Sequence, residues 1–526
     1  AAETPDKTAL IVVTDADAPL AEAECWTYGE LDEAVRRVAA GLLAEGFKPG
    51  ERIMIRMPNT SEYALMFFGG LAAGIVPLPS SSQLTSAEAD FLLSDSAASA
   101  VALAPDMNMT AEGVRILDAE AVARLREHEP LKDYAATSAN DPAFLVYTSG
   151  TSGRPKGVLH AHRSAWGRRP MYRGWYGMDA TDIMLHAGAF NWTYTLGVGL
   201  TDPWANCATT VLYNGEKDVQ VWPKLMEKTG ATLFAAVPTL YRQILKYCDL
   251  DAHDLSALRH GLTAGEALSP ALLSHWREAT GKELYEALGM SECSTYVSTG
   301  PGMEIRAGSP GKPQPGRCVA ALPVDDGSEP LPPGETGLLA VHRSDPGLML
   351  GYWRRPDEEA EVYRGEWFIG GDLASFDADG YMWYHGRADD LMNAMGYRVS
   401  PQEVEAALTG HPDIQEVAVT ELHVREDVTV IAAFVVPKEA SEPDAASILK
   451  WAADRLAAYK CPREVVFVES LPRTAKPADS STPTSSRLSA LTRNSASSSF
   501  GSTDARANWP RCAFGTFFAL ARPAPS

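Results

Sequence analysis

The residues with the clearest chemical potential form one run, Thr148-Ser149-Gly150-Thr151-Ser152-Gly153-Arg154-Pro155-Lys156-Gly157. Its glycines let the backbone turn so that several N–H groups point inward. The hydroxyls of Thr148, Ser149, Thr151 and Ser152 add donors, and Lys156 adds a mobile positive charge. Such a loop can wrap a polyphosphate. It is not a Walker loop, because Gly157 follows Lys156 and no GxxxxGK[ST] occurs. Taken alone, the run could equally be a solvent-exposed turn. Phe144-Leu145-Val146-Tyr147 just before it reads as an apolar strand, so the expected arrangement is a strand delivering a loop over residues 147–157.

Other candidate groups follow in chain order. Gly261-Leu262-Thr263-Ala264-Gly265-Glu266-Ala267-Leu268 reads, by itself, as a turn. Ser291-Glu292 after Gly289-Met290 could open a helix. Asp372 ends Trp367-Phe368-Ile369-Gly370-Gly371-Asp372, where a surface aspartate is the plain alternative to a carboxylate that accepts two sugar hydroxyls. Residues 185–200 are rich in aromatics, which supply large apolar walls with a few polar tips. His160 and His162 lack a third ligand at a metal-binding spacing and are expected to be structural or surface residues. The turn Asp377-Ala378-Asp379-Gly380 lacks the remaining ligands of a calcium loop.

In sequence, these stretches resemble the adenylate-forming superfamily, which holds acyl-CoA synthetases, peptide-synthetase adenylation domains and luciferases. The match is strongest over Tyr147-Thr148-Ser149-Gly150-Thr151-Ser152-Gly153-Arg154-Pro155-Lys156-Gly157-Val158, and the later motifs fall in the family's order. The resemblance implies ATP, Mg²⁺ and coenzyme A acting with a small carboxylic acid. It assigns catalytic roles to Thr148, Lys156, Glu292 and Arg398, with Glu292 on the metal. Nucleotide and CoA contacts are expected from Thr148, Ser149, Gly150, Thr151, Ser152, Gly153 and Lys156, from Gly265, Glu266, Ala267, Glu286 and Ser291, and from Asp372, Arg387, Gly396 and Arg398. Asp389 is the expected hinge. The acid pocket is expected from Phe190, Trp192, Thr193 and Tyr194 opposite Ala264, Gly289, Met290 and Thr295. This region looks closest to benzoate-CoA ligases and neighbouring bacterial acyl-CoA synthetases, which implies an aromatic or medium-size acid. An enzyme loading a carrier protein, and an ATP-binding pseudoenzyme, are the alternative readings.

One departure stands out. Family members end in a motif close to Leu-Pro-Arg-Thr-x-x-Gly-Lys, whose Lys reaches the carboxylate and α-phosphate. Here Leu471-Pro472-Arg473-Thr474-Ala475 fits, but Pro477 and Ala478 stand where Gly and Lys are expected. Lys476 falls two residues early, a displacement of about 6–7 Å in extended chain. The composition changes at the same point: residues 476–526 carry no Glu, two Asp, six Lys or Arg and 11 Ser, for a net charge of +4 (6 − 2). That tail is expected to be disordered, or the product of a shifted reading frame, and adenylation is expected to be impaired.

The elements that must position these groups alternate between strand and helix, which predicts an α/β fold with mainly parallel sheets. Thr8–Val13, 52–57, 100–104, Thr209–Tyr213 and 232–236 read as strands. Thr27 caps a helix running to residue 45, with Leu31, Val38, Leu42 and Leu43 on its buried side, and 61–73 is a second helix. A smaller α+β unit follows. Ser400 and Glu403 form a capping box for helix Pro401–Thr409, strands 416–422 and Val428–Pro437 come next, then helix 445–458 and strand 464–469. The predicted domains are 1–385 and 386–475, with a boundary at 385–389 and the tail 476–526.

With 526 residues, more than one core is expected. A net charge of -22 leaves no basic footprint for nucleic acid. Seven scattered cysteines without a CxxC pair suit a reduced, cytoplasmic protein, monomer or homodimer, and no apolar run is long enough to span a bilayer. The chain starts without Met almost directly in a strand, as expected if its true N-terminus lies upstream.

Overall fold

The computed structural model describes residues 2–471, except 108, 110–111, 150–154, 389–391, 395–396, 426–427, 440, 442 and 457–459. Two parallel sheets carry the larger part of the chain. The smaller has the order Val76–Ser80, Arg52–Arg56, Ala100–Leu103, Arg115–Leu117, all parallel. Helix Tyr28–Ala44 packs beside it, and Thr27 and Glu30 complete a capping box at its start. Its neighbour Ser61–Ala72 approaches closely because Gly69 faces Val38; a Cβ there would lie 2.5 Å from Val38 Cγ1. Leu31, Val38 and Leu42 are buried as expected, but Leu43 is 38% exposed, one position past the apolar stripe.

The larger sheet has nine strands. Its parallel centre runs Glu283–Met290, His260–Ala264, Leu233–Ala236, Ile183–His186, Thr209–Tyr213, Thr8–Val13. Antiparallel strands close both edges: Glu24–Thr27 on one side, Ser294–Ser298 and Lys312–Pro313 on the other. The central strands Leu233–Ala236 and His260–Ala264 are buried at every position, as sheets covered on both faces require.

The expectation of mainly parallel pairing holds for these two sheets and not for the rest. Val319–Leu322, Gly337–His342, Tyr363–Arg364, Trp367–Phe376 and Met382–Arg387 form an antiparallel sheet. Gly351–Tyr352, Pro155–Ala161 and Pro142–Ser149 form another.

The smaller unit pairs Ile414–Arg425 antiparallel with Val428–Pro437, which pairs parallel with Glu464–Phe467. Helices Pro401–Thr409 and Ala445–Ala453 cover this sheet through Val404, Leu408 and Ile448. The second helix is shorter than expected. The capping box at Ser400 does not form: Ser400 Oγ donates to the His385 carbonyl at 2.7 Å, and Glu403 pairs with Lys460 at 2.5 Å. Both side chains have stronger partners than the helix end. The tail 476–526, with its expected disorder, lies outside the described residues.

Candidate active site

The run read as a loop is largely a hairpin. Strands Pro142–Ser149 and Pro155–Ala161 pair with Tyr147 opposite Gly157, Thr148 opposite Lys156 and Ser149 opposite Pro155. Lys156 is therefore a strand residue, paired with Thr148 in the ladder. Its Nζ pairs with the Glu358 carboxylate and lies 5.3 Å from the Tyr352 ring centroid. Glu358 is one end of a chain of charges: Arg355 Nε is 3.6 Å from Glu358, Arg355 Nη2 is 2.5 Å from Asp95, and Tyr147 Oη donates to Asp95 at 2.7 Å. Glu358, Arg355 and Asp95 carry no motif of their own in the sequence.

Tyr352 links this hairpin to the carboxylates. Its hydroxyl donates to Glu292 Oε1 at 2.8 Å. Burial pushes the Glu292 carboxyl up, the Tyr352 hydrogen bond opposes that, and nearby Asp372 adds to it. Asp372 stands opposite Arg387 in the antiparallel ladder, 3.6 Å from its guanidinium, and accepts from Tyr384 Oη at 2.9 Å. Arg387 also donates to the Gly370 carbonyl at 2.7 Å. Ser291 presents its carbonyl to His160 Nε2 at 2.9 Å. His160 stacks on Phe144 at 4.6 Å, and burial holds its pKa down to about 4. The ring is thus a neutral strut between the hairpin and the Ser291-Glu292 turn, a structural role as expected.

The turn at Gly265 needs its positive φ of 89°, which glycine adopts without strain. Beside it, Glu266 Oε2 accepts from Thr239 Oγ1 at 2.7 Å and from Arg242 at 3.2 Å. Glu266 Oε1 and Thr263 Oγ1 are buried with no partner among the described residues, as at a site that a ligand's polar edge completes. Ala267 is exposed. Glu286 accepts the Leu268 N–H at 2.9 Å, and burial raises its pKa to about 8.

The expected acid-pocket residues meet around the carboxyl edge of the nine-stranded sheet, with one exception. Ala264 is buried there, Gly289 pairs with Thr295, and the Met290 methyl lies beside Gly370. Gly289 has no space for a side chain, since a Cβ would lie 2.5 Å from the Ser294 carbonyl oxygen. The Thr295 hydroxyl contacts Met171 Sδ. Trp192 precedes helix Thr193–Leu196, whose Tyr194 lies between Trp175 at 6.0 Å and His186 at 4.6 Å. Phe190 is the exception. It is buried in the core cluster shared by the two parallel sheets, 5.1 Å from Tyr63, and its backbone N–H donates to Asn59 Oδ1 at 3.0 Å.

Sequence reasoning also missed a buried ion pair behind this wall. Arg168 grips Asp202 through Nε at 2.7 Å and Nη2 at 2.6 Å, and Tyr176 Oη donates to the same carboxylate at 2.7 Å. Gly150, Thr151, Ser152, Gly153, Asp389 and Gly396 lie outside the described residues. Ser149 and Arg398 are placed as backbone only, at the end of Pro142–Ser149 and opposite Asn393 in Tyr397–Val399.

Mg²⁺ is tested by the donor set. Among the described residues no group of three or more His, Cys, Asp or Glu could hold a metal ion. Mg²⁺ held by substrate phosphates needs only one or two carboxylates, so Glu292 fits that mode. No helix among the described residues is long and apolar enough to cross a membrane.

Comparison with known proteins agrees with this geometry. The AMP-binding enzyme family matches residues 1–353, and the AMP-binding enzyme C-terminal domain matches 403–476. The acyl–CoA ligase YtcI of Bacillus subtilis (strain 168), itself uncharacterized, is 30% identical over 86% of this chain and 88% of its own length. The 3-hydroxybenzoate–CoA ligase of Aromatoleum sp. (strain CIB) is 30% identical over 88% of this chain and 92% of that protein. The crystal structure of the anthranilate CoA ligase AuaEII in complex with anthranoyl-AMP superimposes with a TM-score of 0.80 at 28% identity, covering 94% of this chain and 96% of that one. The chain belongs to the AMP-binding enzyme family, among the acyl-CoA ligases of the adenylate-forming superfamily.

Proposed function

We propose that this chain is an ATP-dependent ligase that joins an aromatic carboxylic acid to coenzyme A through an acyl-adenylate. The observation that carries this reading is the position of Tyr352, which ties the phosphate hairpin at Lys156 to Glu292 and, through it, to Asp372 and Arg387. Adenylate formation needs those groups around one nucleotide. The aromatic class rests on the Trp175, Tyr194 and Trp192 surroundings and on the acids named for two of the relatives.

In the first half-reaction a carboxylate oxygen bonds to the α-phosphorus and pyrophosphate leaves. In the second, the CoA thiolate bonds to the acyl carbon and AMP leaves. Neither step requires a protein nucleophile, so the residues act by positioning and by stabilising charge. Lys156 exchanges Glu358 for the phosphates. Thr148 lies opposite it in the ladder, and Thr148, Ser149 and residues 150–153 donate to the triphosphate. Gly265, Glu266, Ala267 and Glu286 hold the base, Ser291 faces a phosphate, and Asp372 and Arg387 hold the ribose. Glu292, with the phosphates, would hold Mg²⁺, which would offset triphosphate charge. Arg398 reaches a phosphate, and Gly396 gives passage to the CoA arm. The domains divide as 1–385 and 386–475, turning about Asp389 between the steps. The missing Gly-Lys pair slows the first half-reaction in this chain. A cytoplasmic setting matches the supply of ATP and CoA.

A panel of aromatic, medium-chain and short acids, assayed for AMP release with ATP and CoA, tests the reading. Pro477→Gly/Ala478→Lys is included to restore the first step. Turnover of benzoate-type acids that depends on CoA is expected. Turnover of acetate alone would remove the aromatic class, CoA-independent loading of a carrier protein would replace the ligase reading, and nucleotide binding without turnover by the repaired chain would make it a pseudoenzyme.

A further inference from the structure

Strand Ile183–His186 ends at the carboxyl edge of the parallel part of the nine-stranded sheet, where open α/β sheets hold ligands. His186 is its last residue. Side chains alternate along strands, so His186 shares a face with Met184. The same face carries Ala235, Ala264 and Ala287 from the next three strands. The sheet edge beside the imidazole therefore presents methyl groups and not large side chains. Tyr194 crosses the ring edge-on at 4.6 Å.

The ring is held in one pose. A Cβ at Gly199 would lie 2.8 Å from His186 Cβ, and one at Gly188 would lie 3.0 Å from its Cε1. Nδ1 accepts the Gly188 N–H at 2.9 Å, so the single proton of the neutral imidazole sits on Nε2. Burial holds the ring neutral, with a pKa of about 3. The side chain is 3% exposed, and its Nε2 has no partner among the described residues. A fixed, buried, uncompensated donor is costly in the free protein and persists where a ligand completes it.

We propose that His186 is a specificity-determining residue whose Nε2–H donates to an oxygen substituent on the ring of the bound aromatic acid. This rests on the aromatic-acid reading given above. Hydroxy- or alkoxy-substituted benzoates would satisfy the donor, and unsubstituted benzoate would leave it unpaired. A site built around such a donor discriminates against the analogue that lacks the acceptor.

The test is calorimetric titration of the full chain with benzoyl- and the three isomeric hydroxybenzoyl-sulfamoyladenosines, stable stand-ins for the acyl-adenylate. One hydroxy isomer is expected to bind about tenfold or more tighter than the benzoyl analogue. The ratio should fall to near one in His186→Phe and be partly kept in His186→Gln, whose amide retains a donor. No isomer preference in the wild-type chain, an unchanged ratio in His186→Phe, or an equal loss of every analogue in both variants would overturn the proposal. Binding of an aliphatic acyl analogue with none of the aromatic ones would instead remove the aromatic reading itself, and this inference with it.

Discussion

Lys156 enters the site already paired. Glu358 holds it, Arg355 pairs with Glu358, and Asp95 pairs with Arg355; in the proposed reaction phosphate takes the place of Glu358. Partly exposed pairs of this kind contribute on the order of 0.3–1 kcal/mol. Glu358→Gln is therefore expected to tighten ATP binding roughly two- to fivefold, read by titration with a fluorescent ATP analogue. Weaker binding would show that Glu358 positions Lys156 for the nucleotide instead of competing with it. Glu286 gives a pH prediction. Its folded pKa of about 8 lies above the unfolded carboxylate value, so the stabilisation it gives is complete below about pH 4.5 and is lost as pH rises toward 8. The melting temperature of the wild-type chain relative to Glu286→Gln should fall between pH 5 and pH 8. A constant difference would contradict a raised pKa. The motif residues Lys156, Glu292, Asp372 and Arg387 were legible in the sequence because each sits in a contiguous pattern. Glu358, Asp95 and His186 were not. Arg355 meets Asp95 across 260 positions, and only the folded chain brings them together.

At the scale of elements, one buried pair, Arg168 and Asp202, lies behind the proposed acid site. The π-helix Gly197–Thr201 carries the chain into Asp202–Ala205, and Gly197 lies under the Arg168 guanidinium with no space for a Cβ. Gly197→Ala should push Arg168 off Asp202 and strand a buried charge, a loss of about 3–5 kcal/mol. Urea unfolding checks this; a loss near that of an ordinary helical Gly→Ala change would mean the helix yields instead. Local signals located most strands and helices, including Thr8–Val13, Thr209–Tyr213 and Val428–Pro437 at their observed bounds. They failed where side chains had distant alternatives. Thr27-Glu30 and Thr85-Glu88 form capping boxes, whereas Ser400-Glu403 does not, because His385 and Lys460 take both groups. The hairpin at Lys156 was read as loop because its Gly and Ser content is that of a turn. Its pairing with Gly351–Tyr352, far along the chain, makes it a sheet.

At the scale of the whole molecule, three of the buried histidines make stability depend on acidity. His160, His186 and His260 are held down to about 4, 3 and 4, all by burial. Their neutral state is stabilising above the unfolded value of about 6.5 and is lost as pH falls through 6.5 toward 4. His260→Gln, away from the proposed site, should flatten the fall in melting temperature between pH 6.5 and pH 4.5; an unchanged slope would contradict its neutral burial. The two-domain division and the tail are whole-molecule readings too, and the proposed slowing of adenylation rests on Pro477 and Ala478 standing in place of Gly and Lys.

The most direct measurement separates the half-reactions in one preparation: ATP–pyrophosphate exchange with an aromatic acid, and acyl-CoA formation from the synthetic acyl-adenylate and CoA. The account predicts acyl-CoA formation by the chain as it stands. Exchange should be weak and rise at least tenfold in Pro477→Gly/Ala478→Lys, about 1.4 kcal/mol or more of lost transition-state stabilisation restored. Full exchange without the repair would contradict the role given to the missing lysine. Failure of the supplied acyl-adenylate to yield acyl-CoA in both chains would contradict the ligase assignment itself.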